Sequence, residues 1–491
     1  MKNYKISKNV EEFLNGEVKL FIGGKFVKSE SGKTFGSINP ANGEVLATVY
    51  EAEKPDVDKA VRAAKEAFEH ENWSDLTTLQ RGNLMFRLAQ LIEEHKQEIA
   101  EIDSLDNGKP IHEVLGNDIP NAIGQFQYFG GWSTKNTGQT IPVSNESFNY
   151  TKHEPVGVAG QIIPWNFPFM MAAWKIAPAL ATGCTVVLKP AEQTPLSAIY
   201  LGKLIKEAGF PDGVVNIVPG YGDKAGNALV EHPDIDKIAF TGSTAVGKAI
   251  MKKAADDMKR VTLELGGKSP NIILKDADLD KAIPGAFAAI MANQGEVCSA
   301  GSRLYVQREI FGEVTEKLTE FAKKVKQGPG LLQDIDMGPL VSKEQFEKVT
   351  GYIQKGINEG ATILTGGSHS DKGFFVEPTI FTEVTDEMSI VKEEIFGPVL
   401  VAQPFDTLDE AIEKANNSPY GLGAGIWTES NKKAHYMIDR IQSGSVWVNC
   451  YNLTNPAIPF GGYKQSGFGR EMGSYALENY TEVKTVWMDL S

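Results

Sequence analysis

The chain reads as an α/β protein with two domains built on largely parallel sheets, plus a strand-like arm. Three observations predict this. Short apolar runs alternate with amphipathic helical segments over most of the 491 residues, the order expected when each parallel strand is followed by a crossover helix. The alternation restarts at Ser269, just after Gly266-Gly267, so a second α/β unit begins near there. Residues 145–158 and 480–490 have strand character but no crossover helix. Such edges usually find a partner strand. An arm that joins subunits and a hairpin lying on its own domain both satisfy that need.

Taken in order, helical spacing of apolar residues falls at 57–68, 81–106, 198–208, 247–258, 310–325, 343–359, 408–415 and 432–441. Between these lie short apolar runs at 185–188, 214–218, 237–240, 269–274, 303–306, 399–404, 424–427 and 445–448, which read as buried strands. The long apolar region 162–188 is interrupted by Pro164, Pro168, Lys175 and Pro178. It reads as a buried core element near a site and not as a membrane span.

Composition narrows the function classes. The 63 acidic residues exceed the 49 basic ones, and the formal net charge of −14 repels phosphate backbones, which argues against nucleic-acid binding. Three widely spaced cysteines, Cys184, Cys298 and Cys450, form no CxxC and no disulfide framework. A reducing compartment is expected. The seven histidines show no metal-ligand spacing, so the expected mechanism is metal-free. Met1-Lys2-Asn3-Tyr4-Lys5 leads toward Glu11 and Glu12 without an apolar run, so no secretion signal is expected.

Cys298 is the strongest chemical signal, in Gly295-Glu296-Val297-Cys298-Ser299. A thiolate is the most nucleophilic side chain near neutral pH, although a lone cysteine is also a common core residue. Glu264 lies 34 positions upstream between Leu263 and Leu265. An acid in apolar company, with two glycines behind it, suits a desolvated general base. Together they point to covalent chemistry at a carbonyl carbon.

Residues 237–240 read as a strand, followed by Thr241-Gly242-Ser243-Thr244 and a helix. A glycine turn opening a helix after a strand holds phosphate, because free N–H groups and the helix dipole favour an anion. Gly242, Gly247 and Lys248 match most of a nucleoside-triphosphatase loop, but Ala249 stands where the magnesium-binding Ser or Thr belongs. A bare helix-capping turn is the plainer reading. Lys189 and Glu192, after the strand 185–188, suit a ribose diol. The acid repels a 2′-phosphate, which favours NAD over NADP.

Seven motifs in order resemble the aldehyde dehydrogenase superfamily, closest to its NAD-preferring, tetrameric, aldehyde-oxidising branch. They are Pro164-Trp165-Asn166-Phe167-Pro168, Lys189-Pro190-Ala191-Glu192, Phe240-Thr241-Gly242-Ser243-Thr244, Glu264-Leu265-Gly266-Gly267-Lys268, Gly295-Glu296-Val297-Cys298, Glu393-Glu394-Ile395-Phe396-Gly397-Pro398 and Pro459-Phe460-Gly461-Gly462. The resemblance implies two Rossmann-like domains: cofactor-binding over 1–136 and 156–266, and catalytic over 267–466. It also implies an oligomerisation arm from 137–155 and 480–491. It implies oxidation of an aldehyde to the acid with NAD and water, in a cytoplasmic homotetramer, with NADP less favoured.

By the same resemblance Cys298 is the nucleophile, Glu264 the base and Asn166 the oxyanion donor, with Lys175 and Glu471 relaying protons. Ile162, Pro164, Trp165, Lys189, Glu192, Gly222, Gly226, Phe240, Gly242, Ser243, Leu265, Glu394 and Phe396 are the implied cofactor residues. Phe167, Met171, Trp174, Val297, Thr454 and Phe460 are the implied aldehyde channel. Thr454 is small where relatives carry an aromatic, which leaves room for longer aldehydes. Two rivals remain. A CoA-acylating enzyme would need no hydrolytic base, and a non-enzymatic protein on this scaffold would need neither thiol nor base.

Overall fold

The computed structural model describes residues 5–491. Residues 1–4, which open the expected 1–136 segment and carry part of the leader reading, lie outside the described residues. Two large sheets organise the rest. The first has eight strands in the order Gly467–Phe468, Arg260–Glu264, Lys237–Thr241, Val158–Ile162, Thr185–Lys189, Val215–Ile217, Leu20–Ile22 and Lys25–Val27. Its five central strands are parallel, and the edge pairings are antiparallel. Thr185–Lys189 is buried throughout, as expected for β-branched residues covered on both faces.

Chain order runs outward from Val158–Ile162 in one direction, then restarts on its other side with Lys237–Thr241. That reversal is a topological switch point, and the crevice beyond the carboxyl ends of the strands there is the usual ligand position in open α/β sheets. The second sheet has seven strands: Thr362–Thr365, Thr379–Thr382, Val399–Phe405, Arg303–Gln307, Pro270–Ile273, Gly423–Trp427 and Ser445–Val448, all parallel except the first. A small three-stranded sheet of Glu17–Val18, Val45–Tyr50 and Thr34–Ile38 is formed near the N-terminus, its strands interleaved in sequence with Leu20–Ile22 and Lys25–Val27 of the first sheet.

The apolar region 162–188 contains the helix Pro168–Thr182, every residue of which is buried. Pro168 sits in its first turn, where a missing N–H costs nothing, and Gly183 closes it at φ 97°. Segment 81–106, expected as one helix, is two: Thr78–Glu94 and Lys96–Asn107, meeting at His95. The redirected second helix buries every residue from Ile99 to Asn107, acids included.

The strands Ser147–Pro155 and Thr481–Asp489 pair with each other, antiparallel, from Thr481 opposite Pro155 to Asp489 opposite Ser147. Phe148, Val483, Trp487 and Met488 are exposed on this ribbon. The first sheet also takes its outermost strand from Gly467–Phe468, beyond both expected domain segments. Among the described residues, no helix is long and apolar enough to cross a membrane.

Candidate active site

A cavity of about 530 Å³ opens at the switch point, lined from the first sheet by Thr241 and Glu264 and from the second domain by Cys298 and Phe396. Cys298 follows the helix Leu279–Met291 through a tight turn. Asn293, Gln294 and Gly295 take φ of 46°, 56° and 75° in succession. Left-handed backbone at consecutive non-glycine residues is strained. At Gly295 a Cβ would come within 2.2 Å of the Gly397 carbonyl, so only glycine fits.

The thiol is partly exposed to the cavity. Burial, helped by the charges of Glu264 and Glu394, pushes its pKa up to about 12. The resting sulfur is therefore a thiol, and attack needs a group that takes its proton. Glu264 ends the strand Arg260–Glu264 and is 5% exposed. Neither of its carboxylate oxygens has a hydrogen-bond partner among the described residues. Burial, then repulsion from Glu471, holds its pKa well above the ordinary carboxylate range, while Lys175 and Arg470 oppose the shift. An unpartnered buried carboxylate of raised pKa is suited to exchanging protons with the cavity.

Asn166 also lines the cavity. Its side-chain nitrogen donates to the Glu296 carbonyl at 2.8 Å, which leaves a second amide N–H for the cavity. The Cys298 N–H has no backbone acceptor among the described residues. Both residues line the cavity, and free N–H donors are the chemistry that a developing oxyanion calls for. Glu471 lines the cavity, and Lys175, on the helix Pro168–Thr182, donates to its carboxylate from a fully buried position behind it.

The register of the first sheet aligns the expected cofactor residues. Phe240 sits opposite Ile162, Ile162 opposite Lys189, and Thr241 opposite Glu264, all at the carboxyl ends of neighbouring strands. Ser243 caps the helix Thr244–Ala254 by accepting from the Val246 N–H, and Gly242 and Ser243 border the cavity. The Thr241 hydroxyl there is buried and unpartnered.

Lys189 donates to Glu192 at 3.3 Å, and its stem packs 3.6 Å from where a Cβ on Gly226 would lie. Gly222 to Gly226 form a single π-helical turn. Glu394 accepts from the Gly267 N–H at 2.8 Å, and a Cβ on Gly266 would strike its carboxylate at 2.3 Å. Trp165 and Phe396 meet edge to face at 5.2 Å beside Pro164 and Leu265. Orphaned donors, a capped helix start and glycines closing the space form a cradle that fits a dinucleotide.

A model of the aldehyde dehydrogenase family matches residues 26–486. The chain is 61% identical over 486 residues to DhaS of Bacillus subtilis, covering 99% of this chain and 98% of that one. It is 52% identical over 471 residues to human retinal dehydrogenase 2, covering 95% of this chain and 91% of the other. An NAD+ complex of a Bacillus cereus aldehyde dehydrogenase superposes with a TM-score of 0.99 at 58% identity, with full coverage of both chains. The chain belongs to the aldehyde dehydrogenase family.

For this aldehyde dehydrogenase the apolar wall contains all six channel residues expected from sequence: Phe167, Met171, Trp174, Val297, Thr454 and Phe460. Trp174 packs edge to face on Phe460 at 5.6 Å. The Trp174 indole N–H donates to Asn121 Oδ1 at 2.7 Å, and the Asn121 amide donates to the Thr454 hydroxyl at 3.0 Å. Lys175, Ile162, Lys189, Glu192, Gly222, Gly226, Phe240 and Glu394 are not among the residues bordering the cavity.

Sequence reading missed Glu113, Asn293, Gln345, Lys348 and Asn452, which also line it. Gln345 and Lys348 are one turn apart on the helix Lys343–Asn358, a spacing that offered a signal. Glu113 offered none. Its carboxylate accepts from the Asn293 N–H at 3.1 Å, and burial raises its pKa to about 7.

Proposed function

We propose that this aldehyde dehydrogenase carries out general NAD-dependent oxidation of aldehydes to carboxylic acids, with water as the acyl acceptor. One observation carries the reading: the Cys298 sulfur and an unpartnered Glu264 carboxylate line the same cavity. Cys298 attacks the aldehyde carbon, and its proton passes to Glu264. Asn166 and the Cys298 N–H hold the oxygen of the thiohemiacetal, a contribution of about 3–4 kcal/mol per donor. NAD, when bound along the carboxyl ends of the first sheet, would supply the hydride acceptor that the oxidation of this adduct to a thioester requires. Once that first proton has passed to Glu471 and Lys175, Glu264 draws a proton from water, which attacks the thioester carbon; the acid leaves, and the proton on Glu264 returns to the departing sulfur.

Gly242 and Ser243 would face the pyrophosphate, Lys189 and Glu192 the adenosine ribose, and Glu394 the nicotinamide ribose. The Glu192 carboxylate disfavours a 2′-phosphate, which supports NAD over NADP. The first sheet is thus the cofactor domain and the second the catalytic domain. Thr454, which presents a small hydroxyl to the channel, supports longer aliphatic or aromatic aldehydes as substrates.

The apolar side chains on the ribbon of Ser147–Pro155 and Thr481–Asp489 support its role as an arm between copies, in a tetramer. An isolated two-stranded ribbon is marginal in water without such a partner. The requirement for a free thiol at Cys298 supports a reducing, cytoplasmic setting.

NADH formation across an aldehyde panel, with product analysis in the presence and absence of CoA, tests the reading. Free acid under both conditions supports it, whereas acyl-CoA would assign the CoA-acylating chemistry. Light scattering on the purified protein tests the tetramer.

A further inference from the structure

One buried charge close to the nucleophile has no part in this mechanism. Lys109 has no exposed side-chain surface, and Asp118, its ion-pair partner, is 1% exposed. The Lys109 ammonium donates to Asp118 Oδ2 and to the Asn166 main-chain carbonyl, both at 2.8 Å. It also lies 3.9 Å from the centroid of the Phe167 ring. Its donors are thus directed at the loop that carries the oxyanion amide and the first channel aromatic.

The clamp extends along the chain. Asn107 donates to the preceding carbonyl, that of Trp165, at 3.0 Å. Gly108 lies between the two donors at φ 101°, where a Cβ would meet the Pro339 carbonyl at 2.9 Å. Two consecutive carbonyls of one loop are therefore held by residues 107 and 109. The Asn166 carbonyl accepts a second bond, from the Asn293 amide at 2.8 Å. Asn293 belongs to the strained turn before Cys298 and also donates to the Glu296 carbonyl, the acceptor of the Asn166 amide.

We propose that Lys109 is a positioning residue for catalysis. Through the Asn166 carbonyl it fixes the oxyanion amide in register with the turn that presents Cys298. The proposal rests on the reading of Asn166 as the oxyanion donor. A displacement of about 1 Å at such a donor costs on the order of 100-fold in rate.

The test is a double-mutant cycle on the full-length chain, read as hydrolysis of 4-nitrophenyl acetate without NAD, so that cofactor binding does not enter. Lys109→Met is combined with Asp118→Asn, which leaves no unpaired buried charge. The expected result is a kcat lower by roughly 10- to 100-fold, with KM within about threefold, when Asn166 is intact. In an Asn166→Ala background the same pair costs less than about threefold, because its action passes through Asn166. An equal loss in both backgrounds overturns the proposal, as does an unchanged kcat with Asn166 intact.

If Asn166→Ala alone costs less than about threefold, the oxyanion reading falls first and takes the proposal with it. Should the Lys109 and Asp118 pair fail to fold, Lys109→Arg decides. It keeps the charge against Asp118 but moves the donor off the Asn166 carbonyl. A kcat loss of at least about tenfold is expected, and native turnover overturns the proposal.

Discussion

The two polar walls of the cavity are built on opposite rules. On the Glu264 side, neither carboxylate oxygen has a hydrogen-bond partner among the described residues, and Lys175 and Arg470 act on it at a distance. On the Asn166 side, the amide, its own carbonyl, Asn293 and Lys109 are tied to one another in a closed set of bonds. A group that exchanges protons has to be free to change charge and orientation. A group that stabilises developing charge works best when it is already fixed. On the proposed mechanism, proton transfer belongs to the loose wall and charge stabilisation to the rigid one.

The largest effect lies where the walls meet. Cys298→Ala should lower both NADH formation and ester hydrolysis by at least about 10⁴-fold, and retained NADH production would remove the thiol from the chemistry. Breaking the rigid wall comes next. Asn166→Ala should lower kcat by roughly 100- to 1000-fold with little change in KM, since the missing interaction belongs to the transition state. A matching rise in KM at constant kcat would make Asn166 a ground-state contact.

On the loose wall, Glu264→Gln should slow thioester hydrolysis more than thioester formation, so that rapid-mixing traces show a burst of NADH followed by slow turnover. The native ester-hydrolysis rate should climb with pH through the raised range of Glu264, because a carboxylate pushed up by burial becomes a base only above that range. Glu471→Gln sharpens this. It removes the charge that raises the Glu264 pKa and frees Lys175 to lower it, so both changes act in one direction. The ascending limb of the pH–rate profile should move to lower pH, and a move to higher pH would exclude coupling between the two acids.

The effect with the least bearing on turnover concerns stability behind the rigid wall. Asp103, wholly buried with neither oxygen partnered, is raised by burial from 3.8 to about 7, and Asp106 to about 8. Between their unfolded and folded pKa values the folded chain holds protons that the unfolded chain has lost. Stability from these groups is therefore full below about pH 4 and declines as pH rises toward about 8. Asp103→Asn should flatten that decline, recovering on the order of 4 kcal/mol near pH 8 and less than half of that near pH 5 in thermal melts at matched ionic strength.

The strand–helix alternation, the restart after Gly267 and the seven motifs made the architecture legible before any coordinates. The proposed nucleophile and base stood out on their chemistry: Cys298 lies in a glycine-flanked turn and Glu264 is an acid in apolar company. The break at His95 was not, because the helical period continues through it and only tertiary burial turns the chain. Nor was the mutual pairing of 147–155 with 481–489, since strand periodicity names no partner. Lys109 was not legible, because Asn-Gly-Lys-Pro has the residue chemistry of an exposed turn. Its ammonium is buried only because the loop carrying Asn166 folds over it.

The C-terminal ribbon has a consequence of its own. Tyr480, immediately before it, donates its hydroxyl to the Lys175 carbonyl, and its own carbonyl accepts from Cys184. Shortening the chain at this point would therefore do two things. It would strip the partner from 147–155, exposing a row of main-chain donors to other molecules, and it would loosen the floor beneath the lysine that faces Glu471. Tail-deleted protein should fail first as precipitate and only afterwards as catalyst.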